Sequence, residues 1–286
     1  MNIEVKGHSG CLIEVVREGD ELFVYKSTHD KGYLKRLALQ ADKQMAAQRD
    51  ELQHIRVPQI LAVEKNSEVV NVKMEYVYSK NFIDYFETSG FEQISYFVKA
   101  LRIFLDFEIR HSDIQTIPAS VIKEKFDSVC QKVNANPCLS TDREILDLMN
   151  RSATLFGQAS DMKMPVGKCH GDLTFSNILF NGNNYYLIDF LDSFVESPLL
   201  DIVKIRQDSA FLWSRLMYTG DYDQIRLRIV ADRIDRKIVE YASQYEWYQY
   251  YPMFQLMNFL RILQYAKEES VICFLKTIIK QLLNEF

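Results

Sequence analysis

The chain has 286 residues, 48% of them hydrophobic and 26% charged, and carries a formal net charge of −5. Its length suits one large domain or two lobes, and its acidic balance argues against a non-specific nucleic-acid binder, which would be basic. The N-terminus, MNIEVKGHSG, lacks the apolar core of a secretory signal, and no apolar run approaches the roughly 18 residues that span a bilayer.

From the N-terminus, NIEV, CLIEVVR and ELFVYKST read as strands, short and rich in β-branched and aromatic residues, with KGHSG and EGD as turns between them. The pattern then changes to a helix over 32–52, where Leu34, Leu37, Ala38, Ala41 and Met45 recur at mostly three- and four-residue spacings. The stretch VPQILAVEKNSEVVNVKMEYVY predicts two more strands with a turn at Lys65–Ser67. Helices follow near 81–87, 91–110, 119–134 and 141–157, the last with capping residues from Ser140 to Glu144. Over 178–189, ILF and YYLID flank NGNN, and Asn-Gly between apolar runs is a hairpin signal. From Pro198 onward the chain reads as helical, with breaks near Gly220 and Pro252. Repeats, low-complexity tracts and long linkers are absent from the sequence. The outline is α+β: a small antiparallel sheet with one helix over 1–78, then a large, mostly helical part over 79–286 that carries one hairpin.

The cysteines, Cys11, Cys130, Cys138, Cys169 and Cys273, are odd in number and form no CxxC pair. They suggest small apolar residues in a reducing, cytoplasmic compartment, not a disulfide framework or zinc site.

The chemistry concentrates in Cys169–Phe190, CHGDLTFSNILFNGNNYYLIDF. Asp172 and Asn177 precede the first strand of the hairpin, and the second strand brings Asp189 back toward them. Two carboxylates and a carboxamide are hard oxygen donors, suited to Mg²⁺ shared with phosphates and water. On that reading Asn177 and Asp189 hold the metal, while Asp172 receives or orients a proton from an attacking hydroxyl. The alternative is that His-Gly-Asp is a surface turn and Asn-Gly merely a hairpin tip.

HGDLTFSNILF followed by LIDF resembles the catalytic loop and metal-binding segment of the aminoglycoside phosphotransferase and choline kinase group, which are small-molecule kinases. The shared pattern falls on His170, Gly171, Asp172, Asn177, Ile188, Asp189 and Phe190, and SPLLDIVKI resembles the segment that follows, with Asp201 in the acidic position. Residues 168–205 carry the specific part of the match. The resemblance implies a bilobal protein-kinase-like fold, with residues 1–78 as a nucleotide-binding lobe and 79–286 as a lobe holding the catalytic loop and acceptor site. It implies Asp172 and His170 as catalytic-loop residues, with His170 bracing the loop, and Asp201 as its structural support. It also implies a phosphate cover at Gly7, Ser9 and Gly10, where an ordinary turn is the alternative, and a phosphate-contacting lysine at Lys26, where an exposed strand lysine is the alternative. VKMEYVY resembles the family's hinge, with backbone groups near Glu75 and Val77 at the adenine edge. One part departs from the pattern. The helix after the lysine strand offers Gln40, Asp42 and Gln44 centrally, and a glutamate only at Glu51.

The implied activity is Mg²⁺-dependent transfer of the γ-phosphoryl group of ATP or GTP to the hydroxyl of a sugar, amino alcohol, aminoglycoside-like compound or nucleoside. The alternatives are a Ser/Thr protein kinase and a catalytically weak nucleotide-binding module. The implied partners are a nucleotide and a small acceptor, with no nucleic acid and no membrane span. Asp192 and Glu196 are candidates for the acceptor rim, where solvated loop charge is the alternative. The cluster YEWYQYYP offers a cage for a quaternary ammonium group, or packing between helices.

Overall fold

The computed structural model describes residues 3–6 as backbone and residues 11–286 in full. Gly7, Ser9 and Gly10 lie outside the described residues. The chain forms two compact units, one made of the chain up to Phe107 with His170–Ser193 and Asp221–Val230, the other of Glu108–Cys169, Phe194–Gly220 and Ala231–Phe286. The 178–187 hairpin and its flanking loops fall in the first unit, where they are hydrogen-bonded to the segments around His54 and Lys80.

In the first unit, β1 (Ile3–Lys6), β2 (Leu12–Glu18), β3 (Glu21–Thr28), β5 (Ile60–Lys65) and β6 (Val70–Glu75) form an antiparallel sheet in the order β1-β2-β3-β6-β5. Along β6 every second residue is buried, so Val70, Val72 and Met74 face one way. Helix α1 (Leu34–Ala47) covers that face with Leu37 and Ala41, and Cys11 joins the same core. The helix is shorter than the 32–52 expected: it closes at Gln48, whose side-chain amide donates to the Pro58 carbonyl at 2.6 Å.

A second sheet pairs β4 (Ile55–Arg56) with β10 (Asn184–Leu187), and β10 with β9 (Ile178–Asn181). Asn181 pairs with Asn184, leaving a two-residue connection whose first member, Gly182, takes φ +57°. That is the glycine-demanding position of a tight hairpin. Helix α2 (Phe82–Thr88) packs on this hairpin through a cluster of rings, in which Tyr85 stacks on Phe180 at 4.4 Å and Phe86 meets Phe175 edge-on at 5.3 Å. The connection between β6 and α2 is tied to the hairpin as well: Asn181 Nδ2 donates to the Tyr78 carbonyl at 2.8 Å, and Lys80 exchanges backbone hydrogen bonds with Phe180.

The remaining helices are α3 (Phe91–Arg110), α4 (Ala119–Ala135), α5 (Arg143–Gly157), α6 (Pro198–Ser209), α7 (Gln224–Ala242), α8 (Tyr251–Leu263) and α9 (Glu269–Leu283). Pro252 falls in the first turn of α8, where its missing N–H costs nothing, so it starts a helix and does not break one. The second unit also contains a two-stranded antiparallel pair absent from the sequence-level outline, β7 (Ser112–Ile117) with β8 (Met162–Gly167). Here α8 is nearly buried all round, with Phe254, Leu256, Met257, Phe259 and Leu260 each no more than 2% exposed. Helix α5 is capped by Asp142, whose carboxylate accepts from the Glu144 and Ile145 amides and also receives Lys276 of α9 at 2.9 Å. Trp247, one of two tryptophans in the chain, is buried and stacks on Tyr245 at 4.9 Å. Among the described residues no helix is long and apolar enough to cross a membrane.

Candidate active site

The residues singled out around the hairpin, together with the strand lysine, fall within the first unit. Lys26 sits on β3 opposite Val72 of β6, so its side chain shares the apolar face that α1 covers and only 5% of the residue is exposed. A lysine there needs a counter-charge. It has one: Lys26 Nζ lies 2.6 Å from Asp189 Oδ1, and donates to Gln40 Oε1 of α1 at 3.4 Å. Burial works against the ammonium charge, but the field and hydrogen bond of Asp189 outweigh it and hold the Lys26 pKa above its ordinary value. Of the three central helix residues, Gln40 is therefore the one that meets the lysine. Asp42 instead pairs with Lys65, and Gln44 donates to the Pro58 carbonyl. Gln40 is itself held by Tyr33, whose hydroxyl accepts from its amide at 3.2 Å.

Asp189 follows β10 with φ +62°, a left-handed conformation that Asp and Asn tolerate better than other side-chain-bearing residues. The hairpin brings it back as the sequence requires: the Ile188 amide donates to the Asn177 carbonyl at 3.0 Å, and the Leu191 amide to the His170 carbonyl at 2.9 Å. Between these ties Gly171, at φ +89°, passes so close to the returning chain that a Cβ would lie 1.9 Å from the Leu191 oxygen. Only glycine fits that crossing. Lys43, one turn beyond Gln40 on α1, donates to the same Leu191 oxygen at 2.6 Å.

Asn177 turns its amide nitrogen onto Asp172, reaching the backbone carbonyl at 2.8 Å and Oδ2 at 3.0 Å. Its carbonyl oxygen is then directed away from Asp172. With Asp189 Oδ2 outside the lysine contact and the Asp189 side chain 37% exposed, the site presents hard oxygen donors of the kind Mg²⁺ prefers. The residues present fit that ion. His170 is fully buried, packs its ring 4.2 Å from Phe190, and accepts from the Asp172 amide through Nδ1 at 3.2 Å.

A small pocket beside Lys26 and Asp189 is lined by Leu37, Gln40, Ala41, Val72, Met74 and Phe190, among others. At the end of β6 the Glu75 amide is already engaged by the Gln59 carbonyl at 2.9 Å, and Val77 lies in the irregular segment just beyond.

In the second unit, Asp201 is fully buried in the first turn of α6, which starts from the Ser197 cap. Glu196 is half-buried and accepts from Cys169 Sγ at 3.1 Å, so it is not a freely solvated loop charge. Asp192, in the first unit, is exposed. The aromatic run of 245–252 already has a resident cation: the Arg206 guanidinium lies 4.4 Å from the Tyr251 ring and donates to the Tyr248 hydroxyl at 2.9 Å and to Asp235. Its rings serve packing and this arginine.

Sequence reasoning did not reach Lys43 or the tilted ring contact of Phe190 with His170. The signal for Lys43 was its place three residues after Gln40, which puts both on one face of α1.

No family model matches the chain, and no curated protein does. Solved structures resemble it along nearly its whole length. A thermostable mutant of aminoglycoside phosphotransferase APH(4)-Ia, in ternary complex with AMP-PNP and hygromycin B, superposes with a TM-score of 0.63 at 8% identity, over 99% of this chain and 93% of that one. The GDP complex of aminoglycoside 2'-phosphotransferase-IIIa gives 0.62 at 14% identity, over 100% and 93%. A candidate fructosamine-3-kinase from Haemophilus somnus 129PT gives 0.58 at 11% identity, over 99% and 91%. With a small antiparallel sheet, a covering helix and a largely helical remainder, the chain has the protein-kinase-like fold of these phosphotransferases.

Proposed function

We propose that the chain is a Mg²⁺-dependent small-molecule kinase of the cytoplasm, moving the γ-phosphoryl group of ATP or GTP to an acceptor hydroxyl. The observation that carries this reading is the Lys26–Asp189 contact at 2.6 Å, in the same unit as Asn177 anchored on Asp172. The likeness to proteins solved with AMP-PNP, GDP and hygromycin B supports it.

The residues divide the work. Lys26, kept charged by Asp189, draws electron density from the α- and β-phosphates as the bond between the γ-phosphorus and the bridging oxygen breaks. Asp172 aligns the acceptor hydroxyl and takes its proton as the new O–P bond forms. Asn177 and Asp189 offer oxygens to Mg²⁺. That ion, when bound with the nucleotide, supplies neutralisation of the phosphate charge. His170 positions Asp172, and Asp201 supports the loop. Backbone groups at Glu75 and Val77 take the adenine edge, with Val77 the less committed of the two, and Gly7, Ser9 and Gly10 cover the phosphates. Residues 1–78 then act as the nucleotide-binding lobe and 79–286 as the lobe carrying the catalytic loop and acceptor site, with Asp192 and Glu196 at the acceptor rim.

A small acceptor is favoured over a protein because α6 already begins at Pro198. Only Phe190–Ser197 separates it from Asp189, which leaves little chain to support a peptide. The test is release of ADP from Mg·ATP, or of GDP from Mg·GTP, with a panel of sugars, amino alcohols, aminoglycosides and nucleosides. Acceptor-dependent release that Asp172→Asn abolishes is the expected result. A chain that binds neither Mg·AMP-PNP nor Mg·GDP overturns the reading.

A further inference from the structure

Helix α1 reaches the candidate site through two side chains, and the two contacts are unequal. Gln40 accepts from Lys26 Nζ through Oε1 at 3.4 Å, a long bond to an uncharged acceptor. Lys43, one turn further along the same face, donates from its ammonium group to the Leu191 carbonyl at 2.6 Å. A short bond from a charged donor is the stronger kind. Of these two contacts, Lys43 is the one that can fasten α1 to the site.

Where it fastens matters for Asp189. Leu191 lies two residues further on, and its amide donates to the His170 carbonyl at 2.9 Å while its own carbonyl accepts from Lys43. Before Asp189, the Ile188 amide is held by the Asn177 carbonyl at 3.0 Å. Asp189 thus stands between two anchored neighbours, at φ +62°, a left-handed conformation that persists in a residue with a side chain only where the surroundings hold it. Lys43 reaches the tightest part of this arrangement. A Cβ on Gly171 would lie 1.9 Å from the Leu191 oxygen and 3.4 Å from Lys43 Nζ, so the ammonium sits where the catalytic-loop backbone crosses the chain leaving Asp189. The crossing lies wholly in the first unit.

We propose that Lys43 is a positioning residue for the metal, fixing the backbone that aims the Asp189 carboxylate at Mg²⁺. The inference rests on the phosphotransferase reading, which assigns Asp189 to that ion. Lys43 acts through Leu191 and the crossing, and groups that orient a metal's ligands in this way govern metal affinity by about 10–100-fold.

The test is calorimetric titration of the full chain with AMP-PNP, or with GDP where the wild type prefers it, in Mg²⁺ and in EDTA. The wild type is expected to bind the nucleotide more tightly with Mg²⁺. Lys43→Met keeps most of the length but removes the donors, and is expected to lose on the order of tenfold of that gain while metal-free binding stays unchanged. Lys43→Arg is expected to keep the gain. Hydrogen exchange over 188–191, followed without nucleotide, should quicken in Lys43→Met and not in Lys43→Arg. Should Lys43→Met melt too low to titrate, Lys43→Gln, which loses the charge and part of the reach, takes its place with the same expectation. A gain that the neutral variant retains, a loss equal with and without the metal, an equal loss in Lys43→Arg, or unchanged exchange overturns the inference and leaves the phosphotransferase reading standing. A wild type that binds neither nucleotide, or binds without any gain from Mg²⁺, overturns both.

Discussion

At the scale of single residues, two positions admit almost no substitution, for different reasons. Gly171 combines a positive φ with a crossing where a Cβ would meet the Leu191 oxygen at 1.9 Å. Gly171→Ala must therefore push Leu191 away, and with it the ties on either side of Asp189. The expected cost is about 2–3 kcal/mol of stability, from strain at φ and overpacking together, with Mg·nucleotide affinity falling alongside. Denaturant unfolding and Mg·AMP-PNP titration of the variant check both. Lys26 is held for electrostatic reasons. Lys26→Met keeps the length but leaves Asp189 without its cation, and phosphoryl transfer is expected to drop roughly 10²-fold or more, the usual loss when one transition-state charge contact is removed. The pH sign follows from the raised pKa of Lys26. Its contribution to stability is complete below the unfolded value near 10.4 and is lost only as pH rises through the higher folded value. Between pH 6 and 9 the wild-type melting temperature should therefore carry no Lys26 titration, and the Lys26→Met curve should run parallel to it there.

At the scale of elements, the second unit closes one helix end with side chains from another. Asp142 caps α5 and receives Lys276 of α9, while Lys276 and Lys280 both reach Glu144. Hydrogen bonding from Lys276 is the main reason that the Asp142 and Glu144 carboxyls are held below their ordinary range. Asp142→Ala removes the cap and should cost about 1 kcal/mol. Because these pKa values are lowered, the two carboxylates stabilise fully above their unfolded values, near 3.9 and 4.3, and lose that contribution as pH falls through the lower folded values. The acid limb of the wild-type stability curve should therefore be steeper below about pH 4 than that of Asp142→Ala, a difference that added salt should shrink.

The elements also show what a sequence reveals. Strands between turn signals and helices with apolar periodicity were legible to within a few residues: α3 spans the expected 91–110. The pair β7 and β8 was not. Its β7 strand alternates nothing, with four exposed residues in a row, and β8 contains Pro165, which argues against a strand on sequence alone. Helix α1 lost its last residues because Gln48 and Pro58 turn the chain, a long-range event that local periodicity does not encode. Within the candidate site, Asp172, Asn177 and Asp189 were readable because a single hairpin joins them. The ties from Lys26 and Lys43 cross 163 and 148 residues of chain, so only the resemblance pointed to the first and nothing pointed to the second.

At the scale of the whole molecule, the division of the chain has an optical consequence. Trp213 and Trp247 are the only tryptophans, and both belong to the second unit. The first unit, with Lys26 and Asp189, is lit only by tyrosine and phenylalanine. Emission excited at about 295 nm therefore reports on one unit alone. Should the two units unfold together, the fluorescence midpoint in urea will coincide with that of circular dichroism, as all-or-none unfolding requires. Should the first unit open at lower urea, nucleotide binding will disappear while the tryptophan signal stays native. The chain thus carries a built-in reference channel: a dye-free experiment that follows Trp247 against its stacked Tyr245 can tell a variant disrupted in its first unit from one that has lost its structure throughout.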